Sequence, residues 1–270
     1  MSFDKIYYEN EDIWAVENFS AADRQRVADM AAKVPQSVKT LLDVGCGNGI
    51  FLKYLSDTDA GRFTRLCGTD RSTTALCCVQ AEKVQASIDN LPFGQDEFDL
   101  VSCMEVLEHL PQKTYLDALQ ELSRIARRYI LISVPYNENL HLAYTVCAEC
   151  CCRFNPNYHL RCFDENKMQH MFENHGFKCL DIFHLHPEKV IPPNLEVALR
   201  FLGIIKRTVL GQGRPAMASR AVCPACGCSP RNTLAAVAEP PQTKGIEATL
   251  RSALLVSSGW RWLGALYERV

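Results

Sequence analysis

The segment LLDVGCGNG at positions 41–49 constrains the fold of this chain more than any other stretch. A short apolar run leads into an acidic residue, Asp43, and three alternating glycines, Gly45, Gly47 and Gly49. Because glycine has no Cβ, it adopts positive φ angles and lets a ligand approach the main chain. Apolar residues at helical spacing follow directly, so the loop also points a helix N-terminus at whatever binds. The segment predicts a strand, a nucleotide-binding loop and a helix.

The spacing of the glycines separates two kinds of ligand. Dinucleotide-binding loops follow G-x-G-x-x-G, in which backbone N–H groups and a helix N-terminus receive a pyrophosphate. Here the pattern is D-x-G-x-G-x-G. The carboxylate of Asp43 would repel a pyrophosphate but attract an ammonium or sulfonium group. The loop therefore favours a cationic nucleoside over a dinucleotide, with a glycine-rich turn that binds nothing as the alternative.

At this point the residues resemble the class I S-adenosylmethionine-dependent methyltransferases, whose first motif is E/D-x-G-x-G-x-G. The stretch SIDNLPFGQDEFDLVSCMEVLEHL at positions 87–110 resembles the third and fourth motifs of small-molecule methyltransferases with this fold. The resemblance covers roughly residues 38–185. It implies S-adenosylmethionine as cofactor and an α/β fold: a doubly wound, mostly parallel, Rossmann-like sheet of seven strands.

A second acidic residue, Asp70, supports a nucleoside ligand. It ends a predicted strand 27 positions after Asp43, an interval that fits one strand–helix–strand unit. An acid at that point can accept hydrogen bonds from both ribose hydroxyls, whereas an isolated Asp at a strand end is usually a turn former. Together with the glycine loop, the ribose interpretation is preferred.

The resemblance also implies contacts to the adenine and to the reacting end of the cofactor. Many relatives carry Asp where this chain has Ser87, so recognition of the adenine amino group is left open between Ser87, Asp89 and the backbone. The floor between cofactor and substrate would be lined by Met104, Glu105 and His109. The full set of expected cofactor-binding residues is Asp43, Gly45, Cys46, Gly47, Gly49, Asp70, Arg71, Ser87, Ile88, Asp89, Met104 and Glu105.

Alternating strand and helix patterns between residues 40 and 185 predict the doubly wound sheet. After the strand at Leu41, strands are expected at 65–69, 84–88, 98–104, 129–134 and 177–185, and helices at 72–83, 115–126 and 165–175. The resemblance adds an antiparallel final strand, which we expect at 216–222. The apolar and cationic stretch 248–266 predicts a terminal helix that packs on the body, with a membrane-surface helix as the alternative.

These patterns divide the chain into three regions. We expect an N-terminal helical lid segment at 1–38, a cofactor-binding core at 39–186 with a cysteine-rich insertion at 137–163, and a C-terminal extension at 187–270. A net charge of −2 and a pI near 6.4 give no support for nucleic-acid binding. No apolar run approaches the ~18 residues of a membrane span, and the polar N-terminus does not resemble a secretory signal. We expect a cytoplasmic protein, and the sequence carries no signal for its oligomeric state.

Fourteen cysteines suggest a metal site, because a reducing cytosol disfavours a disulfide framework. Two C-x-x-C pairs, Cys147/Cys150 and Cys223/Cys226, could supply four thiolates to one structural zinc ion and tie the extension to the insertion. A local set in which His159 and Cys162 replace the second pair is the competing ligand set. The two pairs are also compatible with reduced cysteines that bind no metal and with a redox dithiol.

Methyl transfer from a sulfonium is an in-line displacement that depends on alignment and, for a neutral oxygen or nitrogen nucleophile, on loss of a proton. His109 is the preferred candidate base, with a purely structural histidine as its alternative, and Tyr136 and His141 come next by position. The predicted function is methyl transfer to an oxygen or nitrogen of a small-molecule or glycan-like acceptor, alongside a structural zinc. The alternative is a non-catalytic scaffold that binds S-adenosylmethionine and zinc.

Overall fold

The structure is a computed structural model that describes residues 8–9, 14–15, 19–140, 144–190, 223–228 and 257–270. The chain divides into two compact units. The first, here the core unit, comprises Met1–Glu138, His159–His186 and Arg261–Val270. The second, here the cysteine unit, comprises Asn139–Tyr158 and Pro187–Trp260.

The helices and strands alternate along most of the chain. In order they are α1 (Ala21–Ala32), β1 (Thr40–Val44), α2 (Ile50–Thr58), β2 (Arg65–Asp70), α3 (Thr73–Cys77), β3 (Glu82–Gln85), β4 (Phe98–Met104), α4 (Gln112–Ile125), β5 (Ala126–Pro135), β6 (Thr145–Val146), β7 (Arg153–Phe154), α5 (Glu165–His170), β8 (Phe177–Val190) and β9 (Ser257–Arg269). Short 3₁₀ turns cover Leu107–His109 and Glu173–His175. Among the described residues, no helix has the length and apolar character needed to cross a membrane.

Seven strands form one sheet in the order β3-β2-β1-β4-β5-β9-β8. The pairs β1/β2, β1/β4, β2/β3 and β4/β5 are parallel, and β9 runs antiparallel to β5. The predicted fold class is therefore confirmed. Strand order reverses between β1 and β4, and in open α/β sheets ligands bind outside the carboxyl ends of the strands at such a point.

Alternation along the central strands explains how this sheet is covered on both faces. Leu42, Val101 and Ile130 belong to one buried apolar cluster, which includes residues of α4. Leu41, Leu100 and Leu131 belong to a second cluster, which includes residues of α1 and α2. Because successive side chains of a strand point to opposite faces, strands buried on both sides read as continuous apolar runs.

The end of the chain corrects one prediction. The predicted helix at 248–266 is wrong over its described part, because Ser257–Arg269 is the antiparallel strand β9. Leu263 and Tyr267 belong to the first apolar cluster and Trp262 to the second. A strand that is apolar on both faces cannot be told from a buried helix by periodicity. Because this part of the chain is a strand, the peripheral membrane contact considered for a helix here loses its basis. The segment 216–222, where the final strand was expected, lies outside the described residues.

The predicted helix at 72–83 is also too long. Helix α3 begins after Ser72, whose Oγ accepts from the backbone N–H of Ala75, and ends at Cys77. Lys83 already belongs to β3, and its Nζ donates to the carbonyl oxygens of Leu76 and Val79 at 2.8 and 3.0 Å. The lysine thereby caps the helix from the next strand, a contact that local sequence does not specify.

The last strand generates a stability prediction. The ring of Tyr267 is fully buried against Phe172, and its hydroxyl donates to the carbonyl oxygen of Met168 at 2.5 Å. We expect Tyr267→Ala to lower the free energy of unfolding by about 3–5 kcal/mol, since it leaves a cavity and an unpaired carbonyl. Urea unfolding measures the change. Leu180→Ala, at a side chain that is 46% exposed, is the control and should stay within about 0.5 kcal/mol; equal effects of the two would contradict the placement of β9.

Candidate active site

The glycine loop lies directly after β1, with its backbone tied to the neighbouring strand. The N–H groups of Gly45 and Cys46 both donate to the carbonyl oxygen of Thr69, at 2.7 and 3.0 Å. Gly45 has a φ of 73°, and a Cβ there would lie 2.3 Å from Cγ2 of Val106. Only glycine fits this position, because the loop presses against the turn that follows β4. Gly49, with a φ of 76°, is the N-cap residue of α2.

Two buried acids lie at the base and the side of this loop. Asp43 is 2% exposed and accepts a 2.7 Å hydrogen bond from Ser102 Oγ. Burial raises its pKa to about 7, although the Ser102 bond opposes the shift. Asp70 accepts from the N–H of Gly47 at 3.0 Å through one oxygen and from the N–H of Ser72 at 2.9 Å through the other. Burial raises its pKa too, and a cation beside either acid would favour the charged form of its carboxyl group.

Two residues of the N-terminal segment lie over the loop. A Cβ on Gly47 would lie 2.7 Å from the Trp14 ring, and Asn48 donates to the Trp14 carbonyl oxygen at 2.9 Å. The Tyr8 carbonyl oxygen accepts from Ser72 Oγ at 2.8 Å, and the guanidinium of Arg71 lies 4.6 Å from the Tyr8 ring centroid. The expected cofactor residues Gly47 and Arg71 are therefore next to side chains that the motif does not include.

The residues expected near the adenine form a short turn after β3. Ser87 Oγ donates to a carboxylate oxygen of Asp89, and Ser87 pairs with Asn90 in an isolated bridge. Ile88 is buried in the first apolar cluster. Because the Ser87 hydroxyl is engaged by Asp89, these two side chains act as one polar unit.

Met104 ends β4, and Glu105 follows it in a left-handed conformation with a φ of 57°. Its N–H donates to the Ser133 carbonyl oxygen at 2.9 Å. Its carboxylate accepts from Ser133 Oγ at 3.1 Å and lies 3.4 Å from Nη1 of Arg26. Arg26 of α1 thus ties the N-terminal helix to the carboxyl ends of β4 and β5. The backbone strain at Glu105 marks a position held by its surroundings.

His109 lies among groups that the sequence analysis did not connect. Its Nε2 is 3.8 Å from Oε1 of the buried Glu108, and its ring meets His159 edge-on at 4.8 Å between centroids. His159 Nδ1 pairs with Glu138, and the Tyr8 ring lies 6.4 Å from His109. Burial, with a smaller contribution from the charge of Glu105, raises the pKa of Glu108 well above its usual range. The only sequence signal for Glu108 was an acid within an otherwise apolar turn.

Tyr136, one of the two further candidates by position, does not join this group. The hydroxyl of Tyr136 donates to Glu165 at 2.7 Å, and His184 Nε2 lies 3.0 Å from the same carboxylate oxygen. His141 lies outside the described residues. Tyr136 is therefore held in a network between β5, α5 and β8.

The cysteine unit brings the two C-x-x-C pairs together. Sγ of Cys147 lies 3.6 Å from that of Cys226, and Sγ of Cys150 lies 3.5 Å from that of Cys223. All four sulfur atoms lie within 4.8 Å of one another. Sulfur atoms around a tetrahedral zinc ion, each about 2.3 Å from it, lie about 3.8 Å apart. The set fits zinc, whereas a disulfide needs an S–S distance of about 2 Å.

The two pairs have the same backbone fold. The N–H of Cys147 donates to the carbonyl oxygen of Cys152, and that of Cys223 to Cys228, each five residues on. The N–H of the fifth residue of each turn donates back to the first cysteine, and that residue has a positive φ of 62° at Cys151 and 72° at Gly227. Such tight turns aim both sulfur atoms of a pair at one point. The competing ligands His159 and Cys162 belong to the core unit.

Comparisons with known proteins agree with this fold. A family model described as "Methyltransferase domain" matches residues 17–182. The chain is 26% identical over 180 residues to the ubiquinone biosynthesis O-methyltransferase of Acinetobacter baylyi, covering 59% of this chain and 74% of that protein. It is 28% identical over 193 residues to the same enzyme of Psychrobacter arcticus, covering 64% and 72%.

Solved structures of methyltransferases share the fold. A SAM-dependent methyltransferase from Archaeoglobus fulgidus has a TM-score of 0.52 at 13% identity and covers 99% of this chain and 98% of its own. Magnesium protoporphyrin IX methyltransferase from Synechocystis PCC 6803 with bound SAH has a TM-score of 0.52 at 15% identity, covering 67% and 91%. The sheet order and glycine loop define a class I S-adenosylmethionine-dependent methyltransferase. With its family match over residues 17–182, the chain belongs to the methyltransferase-domain family.

The fit of the glycine loop can be tested with the product S-adenosylhomocysteine. We expect Gly45→Ala to weaken its binding at least about tenfold, because the new Cβ displaces the turn at Val106. Gly61→Ala is a matched control: its φ is 83°, but nothing lies within 4 Å of the added Cβ. The control should cost about 1 kcal/mol of stability through its backbone alone and leave affinity unchanged. Equal affinities of the two variants in calorimetry would contradict the role of the close approach.

Proposed function

We propose that this methyltransferase transfers the methyl group of S-adenosylmethionine to an oxygen or nitrogen nucleophile of a small-molecule or glycan-like acceptor. The observation that carries the proposal is the contact between Gly45 and Val106. It joins the cofactor loop to the turn that holds Glu108 and His109. Cofactor and acceptor would therefore meet at the carboxyl ends of β1 and β4.

The proposed cofactor site is built around the buried acids Asp43 and Asp70. Asp70 would accept the ribose hydroxyls with the lone pairs that Gly47 and Ser72 leave free, since a carboxylate accepts about four hydrogen bonds. Asp43 would lie on the cationic side of the cofactor, and Ser87 with Asp89 at the adenine. Met104 and Glu105 would border the methionine part.

The acceptor would enter on the side of His109. The transfer forms a bond from the nucleophile to the methyl carbon and breaks the bond from that carbon to sulfur, so the sulfonium loses its charge. Alignment of the three atoms supplies much of the rate. A hydroxyl acceptor also loses its proton, and His109 is the group that we assign to act at that hydroxyl.

Oxygen is the preferred acceptor atom. The curated relatives named above are O-methyltransferases, which supports the same chemistry here. Composition offers no basic surface for nucleic acid, as the net charge is −2.

The four clustered cysteines would hold one structural zinc ion. Four thiolates complete a tetrahedron and leave no open position for substrate, unlike a catalytic zinc. Zinc would fold the cysteine unit by joining its two cysteine turns, which are far apart in sequence.

Cofactor binding tests the first part of the proposal. We expect Asp70→Ala to weaken S-adenosylhomocysteine binding about tenfold to a hundredfold, because charged hydrogen bonds to the ribose are worth roughly 1.5–3 kcal/mol. Asp57→Ala, which removes an exposed ion pair with Lys53, is the control and should bind normally. Calorimetry on both proteins measures the difference, and wild-type affinity in Asp70→Ala would reject the ribose assignment.

Turnover tests the second part. With S-adenosylmethionine and a panel of phenols, catechols, amines and sugars, we expect S-adenosylhomocysteine to form with at least one hydroxyl compound, and His109→Ala to lower kcat. The matched control is His170→Ala, at an exposed histidine paired with Glu173. Cofactor binding without turnover on any acceptor would instead favour the non-catalytic scaffold.

Metal analysis tests the cysteine assignment. Wild-type protein should carry about one zinc per chain, and Cys223→Ser should lose most of it, because three ligands bind zinc far less tightly than four. Cys228→Ser lies in the same turn but outside the four-sulfur set and should keep its zinc. Unchanged zinc in Cys223→Ser would reject the ligand set.

A further inference from the structure

Sulfur atoms of the four clustered cysteines meet in pairs across the two cysteine turns. Sγ of Cys147 lies 3.6 Å from that of Cys226, and Sγ of Cys150 lies 3.5 Å from that of Cys223. Both distances are shorter than the about 3.8 Å that separates sulfur atoms around a tetrahedral zinc ion. An approach of about 1.5 Å would bring each pair to the bonding distance of a disulfide.

Each of these cross-turn pairs joins one exposed cysteine to one buried cysteine. Cys150 and Cys226 are exposed, whereas Cys147 and Cys223 are buried. Oxidants attack thiolates that solvent can reach, and the ligands of a structural zinc ion are thiolates. A small oxidant would therefore meet one member of each pair first, and the buried partner lies in place to react with the product.

The backbone of the turns favours disulfides between the turns over disulfides within them. The N–H of Cys147 and that of Cys223 each donate to a carbonyl oxygen five residues on, and the N–H of the fifth residue donates back to the same cysteine. These bonds fix the spacing of the two sulfur atoms that belong to one turn. The distance between the turns can shorten without breaking any of them.

We propose that the four cysteines form a reversible redox site, in which a hydroperoxide replaces the zinc ion by two disulfides, Cys147 with Cys226 and Cys150 with Cys223. This inference rests on the proposed zinc site for its reduced state. It concerns the cysteine unit alone and needs neither the cofactor nor the acceptor.

The chemistry balances for each pair. The peroxide transfers one oxygen atom to the exposed sulfur, which becomes a sulfenic acid, and its other oxygen leaves as water. The buried thiolate then attacks the sulfenic sulfur, the S–S bond forms, and the second oxygen leaves as water. Two thiolates lose two electrons, two protons come from solvent, and one peroxide is reduced to two water molecules. Because the sulfur atoms are then no longer thiolates, the site no longer holds zinc.

The two disulfides would take over the structural role of the metal. They join cysteines that are 79 and 73 positions apart in the chain. Crosslinks that close such long loops restrict the unfolded chain strongly. The turns would therefore stay together after zinc has left, whereas disulfides within each turn would let them separate. Because each pair includes an exposed cysteine, thiol reductants can reverse the reaction by exchange.

The core unit is insulated from this exchange. The part of the insertion that belongs to the cysteine unit begins after Glu138 and ends before His159. Those two residues belong to the core unit and pair with each other through Nδ1 of the histidine. The ends of this segment are therefore held together on the core side whichever crosslink the cysteines carry.

Peptide mapping of oxidised protein tests the pairing directly. Zinc-loaded wild-type protein treated with hydrogen peroxide should release about one zinc ion per chain to a chromogenic chelator. After alkylation of the remaining thiols, mass spectrometry should find Cys147 joined to Cys226 and Cys150 joined to Cys223. Dithiothreitol followed by zinc should restore the metal. Disulfides within the turns, or zinc release without disulfides, would overturn the inference.

Two variants sharpen the assignment. Cys150→Ser should still form the disulfide of Cys147 with Cys226 and leave Cys223 as a thiol, and a disulfide of Cys223 with Cys226 would contradict the pairing. Cys228→Ser is the matched control, because it lies in the same turn as Cys226 but outside the four-sulfur set. It should release zinc and form the same two disulfides as the wild type.

Trypsin tests the structural consequence, since Arg153 lies in the short strand that follows the first turn. Cleavage after Arg153 should be at least about tenfold slower in oxidised, zinc-free protein than in reduced protein treated with a chelator, because cleavage follows the population of the open form. Equal rates would show that the disulfides do not replace the metal.

Failure of this inference can be told from failure of the proposed function. Wild-type protein that binds no zinc rejects the proposed zinc site and, with it, the exchange of zinc for disulfides. Protein that binds zinc but keeps it under peroxide retains the zinc site and overturns the inference alone. S-adenosylhomocysteine affinity, measured on the oxidised samples, should be unchanged and verifies that the core unit is folded.

Discussion

The close approach of Gly45 to Val106 is the constraint on which the site depends. A loop that has no Cβ at this point can lie against the turn after β4, and the loop is held there by two hydrogen bonds to the Thr69 carbonyl oxygen. Any side chain at Gly45 would separate the two segments. Because one segment carries the glycine loop and the other carries Glu108 and His109, this contact would set the distance over which a methyl group travels in the proposed site.

The site concentrates buried carboxyl groups. Asp43, Asp70 and Glu108 are carboxyl groups whose pKa values are all raised by burial. Burial favours the neutral form of each group, and a cation placed beside it would favour the charged form. The sulfonium of the cofactor would be such a cation beside the glycine loop. Arg26 is the protein's own contribution, through its ion pair with Glu105.

The sequence predicted what is encoded locally. The glycine loop, the strand Phe98–Met104 and the two C-x-x-C turns each depend on residues within a few positions of one another. The sequence did not predict that Glu108 lies close to His159, or that His159 pairs with Glu138. Those contacts depend on how segments that are distant in sequence come together. The strand Ser257–Arg269 was missed for a different reason: it is apolar on both faces, so its period of two is hidden.

A crystal structure with bound S-adenosylhomocysteine is the most direct test of this site. We expect the ribose to contact Asp70 and the sulfur to face His109 across a gap for one acceptor atom, which must come within about 3–3.5 Å of the methyl carbon. A nucleoside bound away from the glycine loop, or a sulfur that points away from His109, would contradict the proposed arrangement of cofactor and acceptor.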